Sequence, residues 1–337
     1  MISPNYPAAW GAGVAPKFAA SRCDLISVAD LSPEEVASVL DLALRVKAKP
    51  GDFRGALAGK QLVLFFEKPS LRTRLTFEAG MTSLGGTSFF VDQTASRLGA
   101  REPVSDMARN LERWVDGVVL RTFAHETVVE MAEYTSIPVI NALSDHEHPC
   151  QALADYLTLL ERFGDLKRVK LAYVGDGNNV AHSLMLAAAL TGGTIAVATP
   201  EGYEPGAAVT ATARTIAQET GASVTVTNDA AAAVSGANAI YTDVWASMGQ
   251  EEEAAERKRI FAPYQVDERL FRHAAEGAVF LHCLPAHRGD EVTASVIDSP
   301  RSVIFDQAEN RLHVQKSILL MLLAGGRHGF GQRSAHA

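Results

Sequence analysis

The sequence predicts an α/β protein made of two doubly wound parallel sheets, one after the other along the chain, with a cleft between them. Three observations predict it. Short apolar strands alternate with segments of helical period, the strands fall into two series divided by one long helical stretch, and the chemically reactive residues sit just past strand ends. In open parallel sheets those positions face a common crevice.

The elements follow in order. LSPEEVASVLDLALRVKAK opens a helix with Ser32 as N-cap, Pro33 at the first helical position, and Glu34 and Glu35 near the positive end of the helix dipole. Strands are predicted at QLVLFF (61–66), TSFFVD (87–92), GVVLR (117–121) and IPVINAL (137–143), with helical segments RLTFEAGMTSL, VSDMARNLERWV and ETVVEMAEYT between them. The long helix PCQALADYLTLLERFG then leads to a second series, VKLAYVGD, TIAVATP, SVTVTN, AIYTDV and AVFLHCL. SVIFDQ reads as a last strand, and ENRLHVQKSILLMLLAG as a closing helix that packs back on the first domain. The expected division is 1–160, with 311–330 returning to it, and 161–310; residues 1–20, rich in Pro, Gly and Ala, are expected to be loose.

Composition narrows the function. A chain of 337 residues with 47% hydrophobic content has ample core for two domains. A net charge of −8 argues against a nucleic-acid or anionic-membrane surface, so any phosphate bound is small. Cys23, Cys150 and Cys283 are widely spaced and form no disulfide framework or C-x-x-C pair, which suits a reducing compartment. No apolar run reaches membrane-spanning length, and neither secretory nor transit patterns are seen at the start, so a cytoplasmic location is expected. The histidines form no H-E-x-x-H, and His282 and His287 lack ligand partners of metal-site spacing, so no metal and no cofactor is expected.

The residues past the strand ends carry the chemistry. After LVLFF come Ser70, Arg72, Thr73 and Arg74 at a helix start, where hydroxyls, guanidinium groups and backbone N–H groups converge as a phosphate dianion requires. Arg121 ends VVLR, and His148 and Gln151 follow VINAL, with Pro149 suited to the first helical position so that His148 stands at the cap. Asn178 and Asn179 follow LAYV, Asp243 ends IYT, Cys283 follows VFLH, and Arg311 comes shortly after VIFD. The loop beyond Asp243 has no basic residue before Arg257, so it attracts a cationic amine rather than a dicarboxylate.

Taken together, SLRTR, HPCQ, DVWASMG, HCLPAHR and FDQAENR resemble the carbamoyltransferase family over roughly residues 25 to 325, and DVWASMG with HCLP resembles its ornithine branch. The resemblance implies transfer of the carbamoyl group of carbamoyl phosphate to the δ-amine of L-ornithine. It implies that the first domain binds carbamoyl phosphate and the second ornithine. Ser70, the backbone N–H of Leu71, Arg72 and Thr73 would hold the phosphate; Arg121, His148 and Thr73 would face the carbamoyl oxygen; Gln151 would hold the carbamoyl NH2, and Arg311 would reach back to the same group. Asn179, Ser247 and Met248 would hold the α-carboxylate end of ornithine, Asp243 its α-ammonium, and Cys283 with Leu284 would lie near the δ-amine. Arg74 is implied to form a structural ion pair. The assembly implied is a homotrimer with sites at subunit boundaries.

Two departures from that pattern stand out. Leu71 replaces a hydroxyl residue, which leaves its backbone N–H for the phosphate, and Arg97 stands where relatives carry Gln, in a loop that reaches a neighbouring subunit's site. Arg97 is expected to tighten anion binding or alter the acceptor. The proton acceptor stays open between Cys283 beside Asp243 and the departing phosphate, the latter being preferred. Rival acceptors are putrescine and N-acylated ornithine, and rival classes are a hinged binding protein and a nicotinamide-dependent oxidoreductase. VGDGNNV supplies Gly175 and Gly177 of a dinucleotide fingerprint but has Val180 in place of the third glycine.

Overall fold

The computed structural model describes residues 24–93, 97–246 and 251–324. The expected loose segment 1–20 therefore lies outside the described residues, as do Ser247 and Met248. The first series runs α1 (Pro33–Ala48), β1 (Gln61–Phe66), α2 (Leu71–Ser83), β2 (Thr87–Asp92), α3 (Val104–Leu111), β3 (Gly117–Arg121), α4 (His125–Glu133) and β4 (Val139–Leu143). α5 (Pro149–Phe163) crosses to the second series: β5 (Lys170–Val174), α6 (Asn179–Thr191), β6 (Thr194–Ala198), α7 (Ala207–Thr220), β7 (Ser223–Thr227), α8 (Ala230–Val234) and β8 (Ala239–Tyr241). Then follow α9 (Ala254–Phe261), α10 (Glu268–Phe271), β9 (Val279–Leu281), α11 (Ala294–Ile297) and α12 (Ile304–Leu323).

Both sheets are parallel throughout, ordered β2-β1-β3-β4 and β7-β6-β5-β8-β9. Each order reverses direction once: between β1 and β3 in the first sheet, and between β5 and β8 in the second. Those two switch points are where ligand crevices open, and the residues after β1, β3, β5 and β8 line one cleft.

Local chemistry sets the helices. Ser32 Oγ accepts the Glu35 N–H at 3.2 Å while Glu35 accepts the Ser32 N–H at 2.8 Å, the reciprocal cap that the sequence promised. α5 is buried at every position from Pro149 to Leu159, and α6 from Val180 to Leu190. Buried on all sides, polar positions such as Gln151, Asp155 and Ser183 included, these two helices hold the sheets' inner faces together in one continuous core. α12 runs back along α1: Ser317 Oγ donates to the Val39 carbonyl at 2.8 Å, and Lys47 Nζ donates to Asn310 Oδ1 at 2.9 Å. Its last turn meets the start of β3, where a Cβ on Gly117 would come within 3.0 Å of Leu323.

One predicted element is corrected. SVIFDQ is not a strand: Ser302 makes a single bridge to Phe280, and α12 begins at Ile304. The apolar pair Ile304 and Phe305 looked like strand, but Asp306 in the first turn and the helical run that follows carry the segment into α12.

Candidate active site

The cleft between the sheets has a volume of about 530 Å³. Its first wall is built where β1 runs into α2. Ser70 is the N-cap of α2; its hydroxyl accepts the Thr73 N–H at 3.3 Å and donates to Thr73 Oγ1 at 3.0 Å. This leaves the first-turn N–H groups and the Arg72 side chain around the helix's positive end, a ready anion site. Arg121, at the end of β3, donates through Nε to the Lys68 carbonyl at 3.2 Å. Arg311, from α12, donates to Thr73 Oγ1 at 2.9 Å and to Gln151 Oε1.

Arg72, Arg121 and Arg311 line this wall, and none of the three is in an ion pair among the described residues. Burial, then repulsion from Arg311, pulls Arg121 down to about 9. Burial lowers Arg72 and Arg311 as well. His148 stands at the N-cap of α5 with no capping bond from its side chain; burial and then Arg311 and Arg121 hold it well below the ordinary histidine value, hence neutral. His148 Nδ1 and Arg311 Nε are buried without a partner. Both residues line the cleft, so what these two atoms lack within the chain can be supplied from the cleft.

The second wall is acidic. Asp243, just past β8, accepts the Cys283 thiol at 3.0 Å on one oxygen and Asn178 Nδ2 at 3.0 Å on the other. Burial and then Asp243 push the thiol well above its usual value, so Cys283 is a neutral donor rather than a thiolate. Asn179 Nδ2 donates to the Ser144 carbonyl at 2.6 Å at the cleft edge, and Leu284 lines the same wall.

Of the residues expected from sequence, Ser70, Leu71, Arg72, Thr73, Arg121, His148, Gln151, Asn179, Asp243, Cys283, Leu284 and Arg311 line this one cleft. Arg97 does not: its guanidinium lies 4.5 Å over the Phe123 ring of its own chain. Arg74 pairs with Glu78 at 3.2 Å and stacks on Phe90, outside the cleft, as expected.

Sequence reasoning missed four contributors. Lys68, buried and stacked on Phe123, adds a fourth cation to the first wall. Asn178, noted beside Asn179 past the strand end but given no role, caps α6 and orients Asp243. His282 and Glu291 act as a pair: His282 Nδ1 accepts the Leu284 N–H at 2.9 Å, so its Nε2–H faces Glu291 at 3.2 Å. They hold Leu284, the one described non-glycine residue at positive φ (+60°). Nine positions separate His282 from Glu291, so no local spacing signals the pair.

His282, Cys283 and Asp243 bring three potential metal-ligating atoms within 4.8 Å of one another. Both nitrogens of His282 are engaged in the bonds just given, so the group serves the turn. The dinucleotide-like turn has an equally local explanation. A Cβ at Gly177 would meet Pro205 N at 2.3 Å, so the space beside this turn is filled by residues 203–205.

Comparison with known proteins agrees with this geometry. Residues 23–161 match the aspartate/ornithine carbamoyltransferase carbamoyl-P binding domain, and residues 167–322 match the Asp/Orn binding domain of the same family. Ornithine carbamoyltransferase of Symbiobacterium thermophilum is 54% identical over 303 residues, covering 89% of this chain and 98% of the relative. That of Pyrococcus abyssi is 51% identical over 309 residues, covering 91% and 98%. The solved ornithine carbamoyltransferase of Pyrococcus furiosus superposes with a TM-score of 0.88 at 49% identity, covering 90% of this chain and 98% of that one. With a cation-lined wall facing an acid-lined one, and both domain models matched in chain order, this chain belongs to the aspartate/ornithine carbamoyltransferase family.

Proposed function

We propose that the chain transfers the carbamoyl group of carbamoyl phosphate to the δ-amine of L-ornithine, giving L-citrulline and phosphate. The observation that carries this is the charge layout of the cleft: Arg72, Arg121 and Arg311, in no ion pair among the described residues, on one side and Asp243 on the other. A dianion fits the first wall and an α-ammonium the second.

In this reading residues 1–160, with 311–330 returning, hold carbamoyl phosphate, and 161–310 hold ornithine. The phosphate lies against Ser70, the Leu71 N–H, Arg72 and Thr73. Arg121 and neutral His148 donate to the carbamoyl oxygen, where negative charge grows as the amine attacks. Gln151 Oε1 accepts from the carbamoyl NH2. Asp243 pairs with the α-ammonium, while Asn179, Ser247 and Met248 take the α-carboxylate end. The δ-nitrogen forms a bond to the carbonyl carbon, the carbon–oxygen bond to phosphorus breaks with its electrons, and the amine's proton passes to the leaving phosphate. Cys283 positions the amine through Asp243, since its thiol stays protonated.

The assembly is proposed as a homotrimer in the cytoplasm. Leu71 and Leu75, one turn apart on α2, and Phe89 on the edge strand β2 are exposed apolar side chains suited to a contact with another copy. Arg97, outside its own cleft, is then free to serve a neighbour's. Among the described residues no helix is long and apolar enough to cross a membrane.

The test is turnover of carbamoyl phosphate with ornithine, putrescine, aspartate and N-acylated ornithine as acceptors. Ornithine is expected to exceed each of the others by at least about 100-fold in kcat/KM: putrescine leaves the α-carboxylate contacts unused, N-acylation removes the ammonium that pairs with Asp243, and aspartate lacks the δ-amine and brings a second carboxylate to an acidic wall. Equal turnover of putrescine would refute the assigned α-carboxylate contacts.

A further inference from the structure

The cleft's first wall leans on a buried carboxylate that does not itself line the cleft. Asp155 lies one turn after Gln151 on α5 and is fully buried. Gln151 Nε2 donates to Asp155 Oδ1 at 2.7 Å. On its other side, Gln151 Oε1 accepts from Arg311. A guanidinium only donates and a carboxylate only accepts, so these two partners leave the Gln151 amide one orientation. From this, and resting on the functional reading above, we propose that Asp155 is a positioning residue: it locks the Gln151 amide with its oxygen toward the carbamoyl subsite, so that the site selects a dianion bearing an NH2.

Asp155 is itself held in place from the other sheet. Gln307 of α12 donates to the same Asp155 oxygen at 2.7 Å, and its own Oε1 accepts the His282 N–H at 2.9 Å, next to Cys283. Gln307 Nε2 also lies 3.2 Å from the Tyr241 hydroxyl, two residues before Asp243. The chain of bonds thus runs from Arg311 through Gln151, Asp155 and Gln307 to the strand that carries the acceptor wall. The carboxylate's second oxygen is buried without a partner. A half-satisfied buried carboxylate is costly where an apolar or amide side chain would pack as well. What the acid supplies in its ionised form, and an amide does not, is an acceptor that cannot also donate. An amide at 155 could donate to Gln151 Oε1 and let that amide reverse, turning an NH2 toward the substrate's NH2.

The readout follows from the ligand. Sulfate shares the dianion contacts but has no NH2, so it does not use Gln151. In Asp155→Asn, equilibrium affinity for carbamoyl phosphate is expected to fall about 10-fold, the loss of one buried oriented hydrogen bond, while affinity for sulfate stays within about twofold. Equal weakening of both, or no change in either, overturns the proposal, since a merely structural acid would move them together. Wild-type protein gives an independent arm should the variant fail to fold. Burial brings the Asp155 carboxyl up to about 7. The titratable groups packed around it lie elsewhere: burial raises Tyr156, Tyr241, Cys283 and Cys150, lowers His148 well below its ordinary value, and lowers Arg311 from an ordinary guanidinium value. The preference for carbamoyl phosphate over sulfate is therefore expected to drop as pH falls through about 7; a constant ratio overturns the proposal. Absence of carbamoyl phosphate binding by the wild type at any pH overturns both this proposal and the functional reading, whereas failure of Asp155 alone leaves wild-type binding and turnover intact.

Discussion

Cys283 shows how burial decides a side chain's chemistry. The same thiol in water would be a few per cent ionised near neutral pH and a strong nucleophile; here desolvation and the Asp243 carboxylate at 3.0 Å keep its proton on. It therefore contributes one oriented hydrogen bond. Cys283→Ala is expected to lower kcat/KM for ornithine about 10-fold, with carbamoyl phosphate affinity unchanged and no displacement of the pH profile between 6 and 9. A lost alkaline limb in the variant's profile would mean that the thiol titrates in the reaction after all. The same residue marks what sequence can disclose. Its place past a strand end was legible, as were Arg72, Arg121, His148 and Gln151, because strand ends in parallel sheets point into the crevice. Its ionisation was not, because that depends on Asp243, 40 residues away in the chain. Lys68, Glu291 and Asp155 were illegible for a related reason: each matters through a partner brought near only by folding.

Among the elements, the β5–α6 turn carries both a false signal and a real one. Gly175 and Gly177 suggested a nucleotide turn, yet the residue 203–205 loop occupies the place beside it, and the Gly177 N–H donates to the Tyr203 carbonyl at 2.9 Å. Glycine is needed there because of that backbone, not because of a pyrophosphate. Gly177→Ala should force the loop or the turn to move, costing about 2 kcal/mol or more. It should also displace Asn178, which caps α6 and holds Asp243. Denaturant unfolding would report the first effect and a raised ornithine KM the second. A variant of unchanged stability would show that the 203–205 loop gives way freely. Elements with strong local grammar were legible: Ser32 and Glu35 cap α1 reciprocally, and Pro149 starts α5. SVIFDQ was misread because a short apolar run of four to six residues fits strand and buried helix equally until its neighbours are known.

Across the whole molecule, the two-sheet plan was legible from the spacing of apolar runs, while the strand orders were not, since neither periodicity nor composition encodes which parallel strands adjoin. Joining two sheets over one core buries ionisable groups that would be solvated in either sheet alone, and stability inherits their titration. The folded Asp155 carboxyl titrates at about 7 against an ordinary 3.8, so the folded chain binds its proton more tightly than the unfolded chain. Its contribution is full below the unfolded value, falls as pH rises from there, and is gone once pH has passed about 7. Glu147, bonded to Ser27, Val28 and Ser183, and Asp176, bonded to Arg257, are raised in the same direction by burial. The histidines act oppositely. Burial holds His125, His148 and His182 below their ordinary value, so the unfolded chain takes up those protons first and stability falls as pH drops through about 6.5. Between about pH 4 and 7 the buried acids and the histidines therefore pull stability in opposite directions, and above about pH 7, where folded and unfolded chains have both released the Asp155 proton, that carboxyl no longer tilts the balance. Asp155→Asn removes the acid's part, so the melting midpoint of the variant is expected to rise relative to that of the wild type as pH goes from about 5 to 7, a change in the difference on the order of 1–3 kcal/mol. A difference between variant and wild type that stays constant across that range would contradict the buried acid's assigned titration.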